Sequence, residues 1–245
     1  MIDRLKKQQD KLLATERYEA WESVARKLAH EIKNPLTPIQ LSIDRLREKY
    51  TSSINDGRQD FEKYLETINR QIKDIEKLVN EFSNFARMPR PVFKKINIID
   101  VISRTIHFVG VSSKSKININ TNHKKLIISG DEEQLNRVFI NLIKNSEESF
   151  EEILLKNPIF KGKIDIEINS NNDYIVVKII DNGTGILNTK KAMTPYYTTK
   201  NKGSGLGLPI VSKIINEHSG DFSISNREKS VNGIIIEMSF PKLDA

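Results

Sequence analysis

The sequence predicts two architectures in one chain, an α-helical hairpin followed by an α/β sandwich. Two observations carry this. Up to residue 82, apolar residues recur at the 3- and 4-residue steps of helices packed on one another. After Met88-Pro89-Arg90-Pro91 the pattern changes to short alternating runs, interleaved with helical segments. The composition fits a soluble protein with long polar helices, at 38% hydrophobic and 29% charged over 245 residues.

Taken in order, residues 1–17 read as a charged lead-in helix with Ile2, Leu5 and Leu12 at near-heptad spacing. The first long helix carries Trp21, Ala25, Leu28, Ile32, Leu36, Ile39, Ile43, Leu46 and Tyr50. The steps are 4, 3, 4, 4, 3, 4, 3, 4, a heptad seam with one extra 4-residue step. Pro35 lies beside that stutter, removes a backbone donor and predicts a bend. Thr51 to Gly57 is a turn by composition. The second helix carries Phe61, Leu65, Ile68, Ile72, Ile75, Val79 and Phe82 without a break in the heptad. One such hairpin buries each seam only in part. Two make a four-helix bundle, so a homodimer is expected; the alternative is a hairpin packed on the following domain.

In the second half, strands are expected at Phe93 to Asn97, Ile117 to Thr121, Leu126 to Ser129, Lys163 to Asn169, Tyr174 to Asp181, Asp221 to Ser225 and Gly233 to Phe240. Helices are expected at Asp100 to Val111, Asp131 to Phe150 and Leu206 to His218. The expectation is one mixed sheet with helices on one face. The domain boundaries follow: lead-in helix 1–17, helical domain 18–88, linker 89–95 and α/β domain 96–245.

Several function classes drop out early. There is no cysteine, which excludes disulfides and thiol chemistry. His30, His107, His123 and His218 are too scattered for a histidine metal cluster. No apolar run approaches the roughly 20 residues of a membrane span, and no signal peptide precedes the charged start, so the chain as given is expected in the cytoplasm. A net charge of +7 permits nucleic-acid binding, but no recognition motif accompanies it, and none is expected.

His30 lies two residues after Leu28 and two before Ile32, so at about 100° per residue it points away from the seam. An exposed imidazole beside Glu31 suits a nucleophile whose ring N–H is held by a carboxylate. Asn34, one turn on, shares that face and can orient a water but not act as a base. Three further elements carry chemistry. Asn141 and Asn145 share one helix face, and amide oxygens can ligate magnesium. Asp181-Asn182-Gly183-Thr184-Gly185 puts an acid at a strand end before two glycines, a pattern suited to an adenine amino group but also to a plain turn. Gly203-Ser204-Gly205-Leu206-Gly207 opens a helix whose free N–H groups can receive phosphate. Between them, Asn188 to Lys202 is polar and reads as a mobile lid.

In this order the elements resemble the sensor histidine kinases, over residues 18 to 243. His30-Glu31-x-x-Asn34-Pro35 is similar to that family's H box. Asn141 to Asn145 is similar to the N box, Asp181 to Gly185 to the G1 box, Thr194 to Lys200 to the F box and Gly203 to Gly207 to the G2 box. The run HEIKNPLTPIQLSIDRL, the FARMPRP linker and the TPYYTTK lid resemble the NtrY/NtrB nitrogen-regulation branch in particular. The resemblance implies a dimeric four-helix bundle followed by a GHKL-type (Bergerat) ATP-binding sandwich. It implies Mg-ATP-dependent phosphorylation of His30 with Glu31 as acid–base partner, phosphotransfer to a response-regulator aspartate, and phosphatase activity with Asn34 positioning water. Asn145 would ligate magnesium with Asn141 beside it. Asp181 would bind adenine, and Gly183, Gly185, Gly203, Gly205, Gly207 and Lys200 would line the ATP site. No membrane contact is implied for this chain, although a longer relative is expected to be membrane-anchored. Tyr196 and Tyr197 stand where the family has phenylalanine, and Ile186 to Thr194 is shorter than usual. That shortness favours a second reading, a kinase-impaired ATP-binding scaffold or phosphatase acting on a regulator.

Overall fold

A computed structural model describes residues 29, 31–51, 57–86, 88–110, 115–199, 204–227 and 232–243. It divides into two compact units, Met1–Pro89 and Arg90–Ala245.

In the first unit, helix α1 covers residues 31–50 and helix α2 covers Arg58–Ala86. The helix runs through Pro35 and Pro38 without interruption. Both rings are exposed. Leu36, Ile43, Leu65 and Ile72 form the apolar contact between α1 and α2, with Phe61 packed against it. A polar contact keys the register: the Gln40 side-chain amide donates to Asn69 Oδ1 at 2.8 Å. The other half of each seam stays exposed, with Ile39 at 46% and Ile68 at 44%.

The second unit runs β1 (Lys94–Asn97), α3 (Ile98–Gly110), β2 (Lys116–Asn120), β3 (Ile127–Gly130), α4 (Glu132–Leu154), β4 (Lys163–Ser170), β5 (Tyr174–Asp181), α5 (Thr189–Ala192), α6 (Gly207–Glu217), β6 (Asp221–Asn226) and β7 (Ile234–Pro241). Five strands form a mixed sheet in the order β2-β4-β5-β7-β6, with only β2 and β4 parallel. The single expected sheet is thus two, because the four-residue strands β1 and β3 pair only with each other. Each is followed at once by a helix, which leaves no length to extend the pairing.

Alternation decides the buried face. Ile164, Ile166 and Ile168 on β4, Ile175, Val177 and Ile179 on β5, and Ile236, Met238 and Phe240 on β7 are buried. Helix α4 answers with Leu135, Val138, Phe139, Leu142, Ile143 and Phe150, and α6 with Ile210, Val211, Ile214 and Ile215. Asp131 caps α4 by accepting the Gln134 N–H at 3.0 Å, and Glu132 and Glu133 favour the same helix end. The polar stretch expected as lid is not all loop: Asn188 caps the single turn of α5, and Ala192 is buried.

Candidate functional site

The site is built where the ends of β5, α4 and α6 meet. β5 ends at Asp181, which is only 3% exposed. Its Oδ2 accepts the Ser146 hydroxyl at 2.8 Å, and its Oδ1 accepts the backbone N–H of Gly183 at 2.9 Å and of Ile234 at 3.2 Å. These bonds tie the β5 end to α4 on one side and to β7 on the other. A buried carboxylate without such donors would be costly, so they define where its oxygens point.

The loop after Asp181 is bracketed by two side-chain amides. Asn182 accepts the Lys163 N–H at 2.8 Å and donates to the Lys161 carbonyl at 3.0 Å. Asn226 accepts the Ile186 N–H at 2.8 Å and donates to the Ile186 carbonyl at 2.7 Å. Between them, a Cβ on Gly183 would run into Ser149 Oγ, so a larger residue there would force that hydroxyl to turn away. Gly185 lies beside Asn226.

Helix α4 brings Asn141 and Asn145 to the same end of the unit, both half-buried. The Asn145 amide lies in ordinary contact with the Cα side of Gly207, where a Cβ would meet Nδ2 at 3.5 Å and Oδ1 at 3.8 Å. Gly207 is the first residue of α6, whose N-cap Leu206 makes no side-chain capping bond. The first-turn N–H groups and the helix dipole are therefore directed at whatever approaches beside Asn145.

The polar stretch before α6 is pinned to the same corner. Tyr196 donates its N–H to the Gly205 carbonyl at 3.1 Å. Gly205 has φ +68°, and a Cβ there would lie 2.6 Å from the Tyr196 carbonyl carbon. Only glycine meets both the left-handed backbone and the close approach. Asp181, Gly183, Gly185, Asn145, Gly205 and Gly207 are thus drawn together, with Asn141 one turn from Asn145 on α4. Lys200 and Gly203 lie outside the described residues. So does His30, the expected nucleophile. Its neighbours Glu31 and Asn34 are exposed on the helical hairpin, while Ala29 is buried.

Sequence reading missed Ser146, Asn182 and Asn226. Ser146 left a trace, because it falls at an apolar-periodic position of α4, four residues after Leu142. Asn182 stood within the Asp181–Gly185 motif without a role of its own, and Asn226 left no trace; each pairs with backbone far away in sequence. His218 was noted only as one of four scattered histidines. It is buried, its Nε2 accepts the Asp131 N–H at 2.9 Å, and Nδ1 lies 2.8 Å from the Ile214 carbonyl. The Phe93 ring meets its edge at 5.1 Å, and Val92 N–H donates to Asp131 Oδ2 at 2.7 Å, so this pair anchors the entry of the α/β unit.

Comparison with known proteins adds three findings. The family model of histidine kinase-, DNA gyrase B- and HSP90-like ATPases matches residues 130–243, and that of the His kinase A phospho-acceptor domain matches residues 20–91. An NtrY-like sensor histidine kinase of Rickettsia prowazekii is 40% identical over 98% of this chain and 39% of its own length. The nitrogen regulation protein NtrY of Azorhizobium caulinodans is 37% identical over 88% of this chain and 28% of its own length. The chain thus spans about two-fifths or less of these relatives. Among solved structures, the catalytic domain of the histidine kinase ThkA is 26% identical with a TM-score of 0.52, covering 62% of this chain and 96% of that one. ThkA in complex with the response regulator TrrA matches in fold, with a TM-score of 0.63 at 23% identity, over 98% of this chain and 67% of that one.

Proposed function

The chain belongs to the histidine kinases, and from that premise we propose that it is a kinase core that phosphorylates His30 from Mg-ATP and passes the phosphoryl group to a response-regulator aspartate. The observation that carries the reading is the convergence of Asp181, Asn145 and the N-terminus of α6 at one corner of the α/β unit. Asp181 receives the adenine amino group. The backbone around Gly183 and Gly185 lies along the base. Gly203, Gly205, Gly207 and the free N–H groups of α6 take the phosphates, with Lys200 reaching toward them.

The donor set fits magnesium, a hard ion that takes oxygen ligands and keeps several waters. Asn145 would hold it through its amide oxygen, with Asn141 one turn away. When bound, the ion neutralises phosphate charge. In the transfer itself, a His30 ring nitrogen forms a bond to the γ-phosphorus as the bond to the β–γ bridging oxygen breaks, and ADP leaves. Glu31 holds the other ring nitrogen and takes its proton. The regulator's aspartate then displaces His30 from phosphorus. Asn34, exposed beside Glu31, orients water for hydrolysis of the regulator's aspartyl phosphate.

The division of labour is a helical domain over 18–88, a linker over 89–95 and the ATP-binding domain over 96–245. The half-exposed seams of α1 and α2 support a homodimer, and the ThkA–TrrA complex supports a receiver domain as partner. No helix among the described residues is long and apolar enough to cross a membrane.

The test is incubation with radiolabelled Mg-ATP, comparing wild type with His30→Gln. Label that is acid-labile, base-stable and absent from the variant is expected. Label that persists in His30→Gln would overturn the assignment. No label despite ATP binding would favour the scaffold-phosphatase reading.

A further inference from the structure

We infer that Ser146 sets the base preference of the nucleotide site by leaving the Asp181 carboxylate a single open acceptor position; this rests on the ATP-binding reading and deepens it. Ser146 stands on the face of α4 that otherwise carries Leu135, Val138, Phe139, Leu142, Ile143 and Phe150, and it is buried. A hydroxyl at such a position needs a partner. Its Oγ lies 2.8 Å from Asp181 Oδ2 and 3.3 Å from the Leu142 carbonyl. A carboxylate cannot donate, so the hydroxyl proton must lie on the shorter contact for that bond to exist.

A carboxylate offers about four lone-pair positions. The Gly183 and Ile234 N–H groups occupy both on Oδ1, and Ser146 occupies one on Oδ2. Among the described residues these are the only partners of the carboxylate, so one position on Oδ2 remains.

A single acceptor selects a single donor. The 6-amino group of adenine supplies one N–H in that direction. Guanine presents an oxygen at C6, which a carboxylate repels, and two adjacent N–H donors at N1 and N2 that require two acceptor positions. With one position open, guanine leaves a buried donor unpaired. Removing the Ser146 hydroxyl opens the second position on Oδ2 and releases one of the tethers that orient the carboxylate. Ser146 acts through Asp181, so it is a positioning residue.

The test measures binding of ATP and of GTP to the full chain by equilibrium dialysis with magnesium present, in wild type and Ser146→Ala. Wild type is expected to prefer ATP. In the variant, ATP affinity should fall about 3- to 10-fold while GTP affinity holds or rises, so the preference narrows by about 3-fold or more. A parallel fall for both nucleotides, or no change, would overturn the inference, because a merely structural serine cannot alter the ratio.

A second measurement needs no variant. N6-methyl-ATP keeps one N–H and should bind wild type within a few-fold of ATP, whereas N6,N6-dimethyl-ATP should lose more than about tenfold. Equal losses would also overturn it. A wild-type chain that binds neither ATP nor GTP would instead overturn the kinase reading.

Discussion

The helical hairpin and the α/β unit contain the same kinds of apolar residue but bury them to different extents. In the α/β unit, Ile98, Val138, Phe139, Leu142, Ile164, Ile166 and Ile214 are fully buried. In the hairpin, one position per heptad is buried (Leu36 and Ile43, then Leu65, Ile72 and Val79), while Ile39, Ile68 and Ile75 stay more than two-fifths exposed. The difference follows from geometry. A sheet with helices laid on it closes a core by itself, whereas two helices have only one line of contact and leave the outer half of each apolar stripe in water. The α/β unit can therefore hold the proposed nucleotide site rigidly on its own, whereas the hairpin would be completed by the second copy that the proposed homodimer supplies.

The strongest way to break this comparison is a charge on the exposed half of the seam. Ile68→Asp should leave the α/β unit intact and weaken self-association on the order of 10³-fold. It would place a carboxylate in an apolar layer at a cost of about 4 kcal/mol. Size-exclusion chromatography with light scattering reads the dimer, and nucleotide affinity reads the α/β unit. A variant that stays dimeric would show that the exposed seam is not the interface.

The same contrast explains what the sequence revealed. The Ile-x-Ile alternation of β4 and the apolar runs of β5 and β7 located three strands to within a residue or two, because one buried face imposes period two. The heptads located the described parts of both hairpin helices (Trp21, Ala25 and Leu28 lie outside the described residues) but not which half of each seam would face inward, since a period carries no direction. The site glycines and Asp181 were visible because close packing restricts residue type. Ser146, Asn182, Asn226 and His218 act through contacts 19 to 87 residues away, which local pattern does not encode. The separation of β1 and β3 from the main sheet was hidden for the same reason.

A smaller effect separates the two units by pH. Burial holds the His218 ring below its ordinary range; a bond to the Ile214 carbonyl and the nearby Asp131 carboxylate only partly offset it. Neutral His218 accepts the Asp131 N–H through Nε2. Protonation would set two donors against each other. Above about pH 6.5 His218 is neutral in both folded and unfolded chains and adds no pH dependence. As pH falls below that value the unfolded chain takes up the proton first. Stability is lost at up to about 1.4 kcal/mol per pH unit until the folded ring also titrates. Burial also raises Asp131, but N–H donors led by Val92 and Gln134 outweigh it and hold the carboxyl low. Its contribution is therefore kept above about pH 4 and lost only below. Denaturant unfolding of the α/β unit between pH 5 and 7 should show the slope in wild type and lose it in His218→Gln. A slope that survives the substitution would assign it to another group.

The subtlest effect concerns the loop itself. Asn226 gives the Ile186 backbone both of its hydrogen bonds, yet it is exposed, so water can replace it. Asn226→Ala should therefore cost the fold little and act on the site instead, because the backbone beside Gly185 loses one of its two brackets. The expected result is about a 3- to 5-fold weaker ATP affinity, near 1 kcal/mol, with self-association unchanged. Asn226→Asp makes the comparison sharper. The carboxylate still accepts the Ile186 N–H but cannot donate to the carbonyl, and it faces that oxygen across 2.7 Å with a negative charge. It should be worse than alanine if the amide holds the loop through both bonds. If alanine and aspartate bind ATP as wild type does, the rigidity of the site comes from Asp181 and its three donors alone.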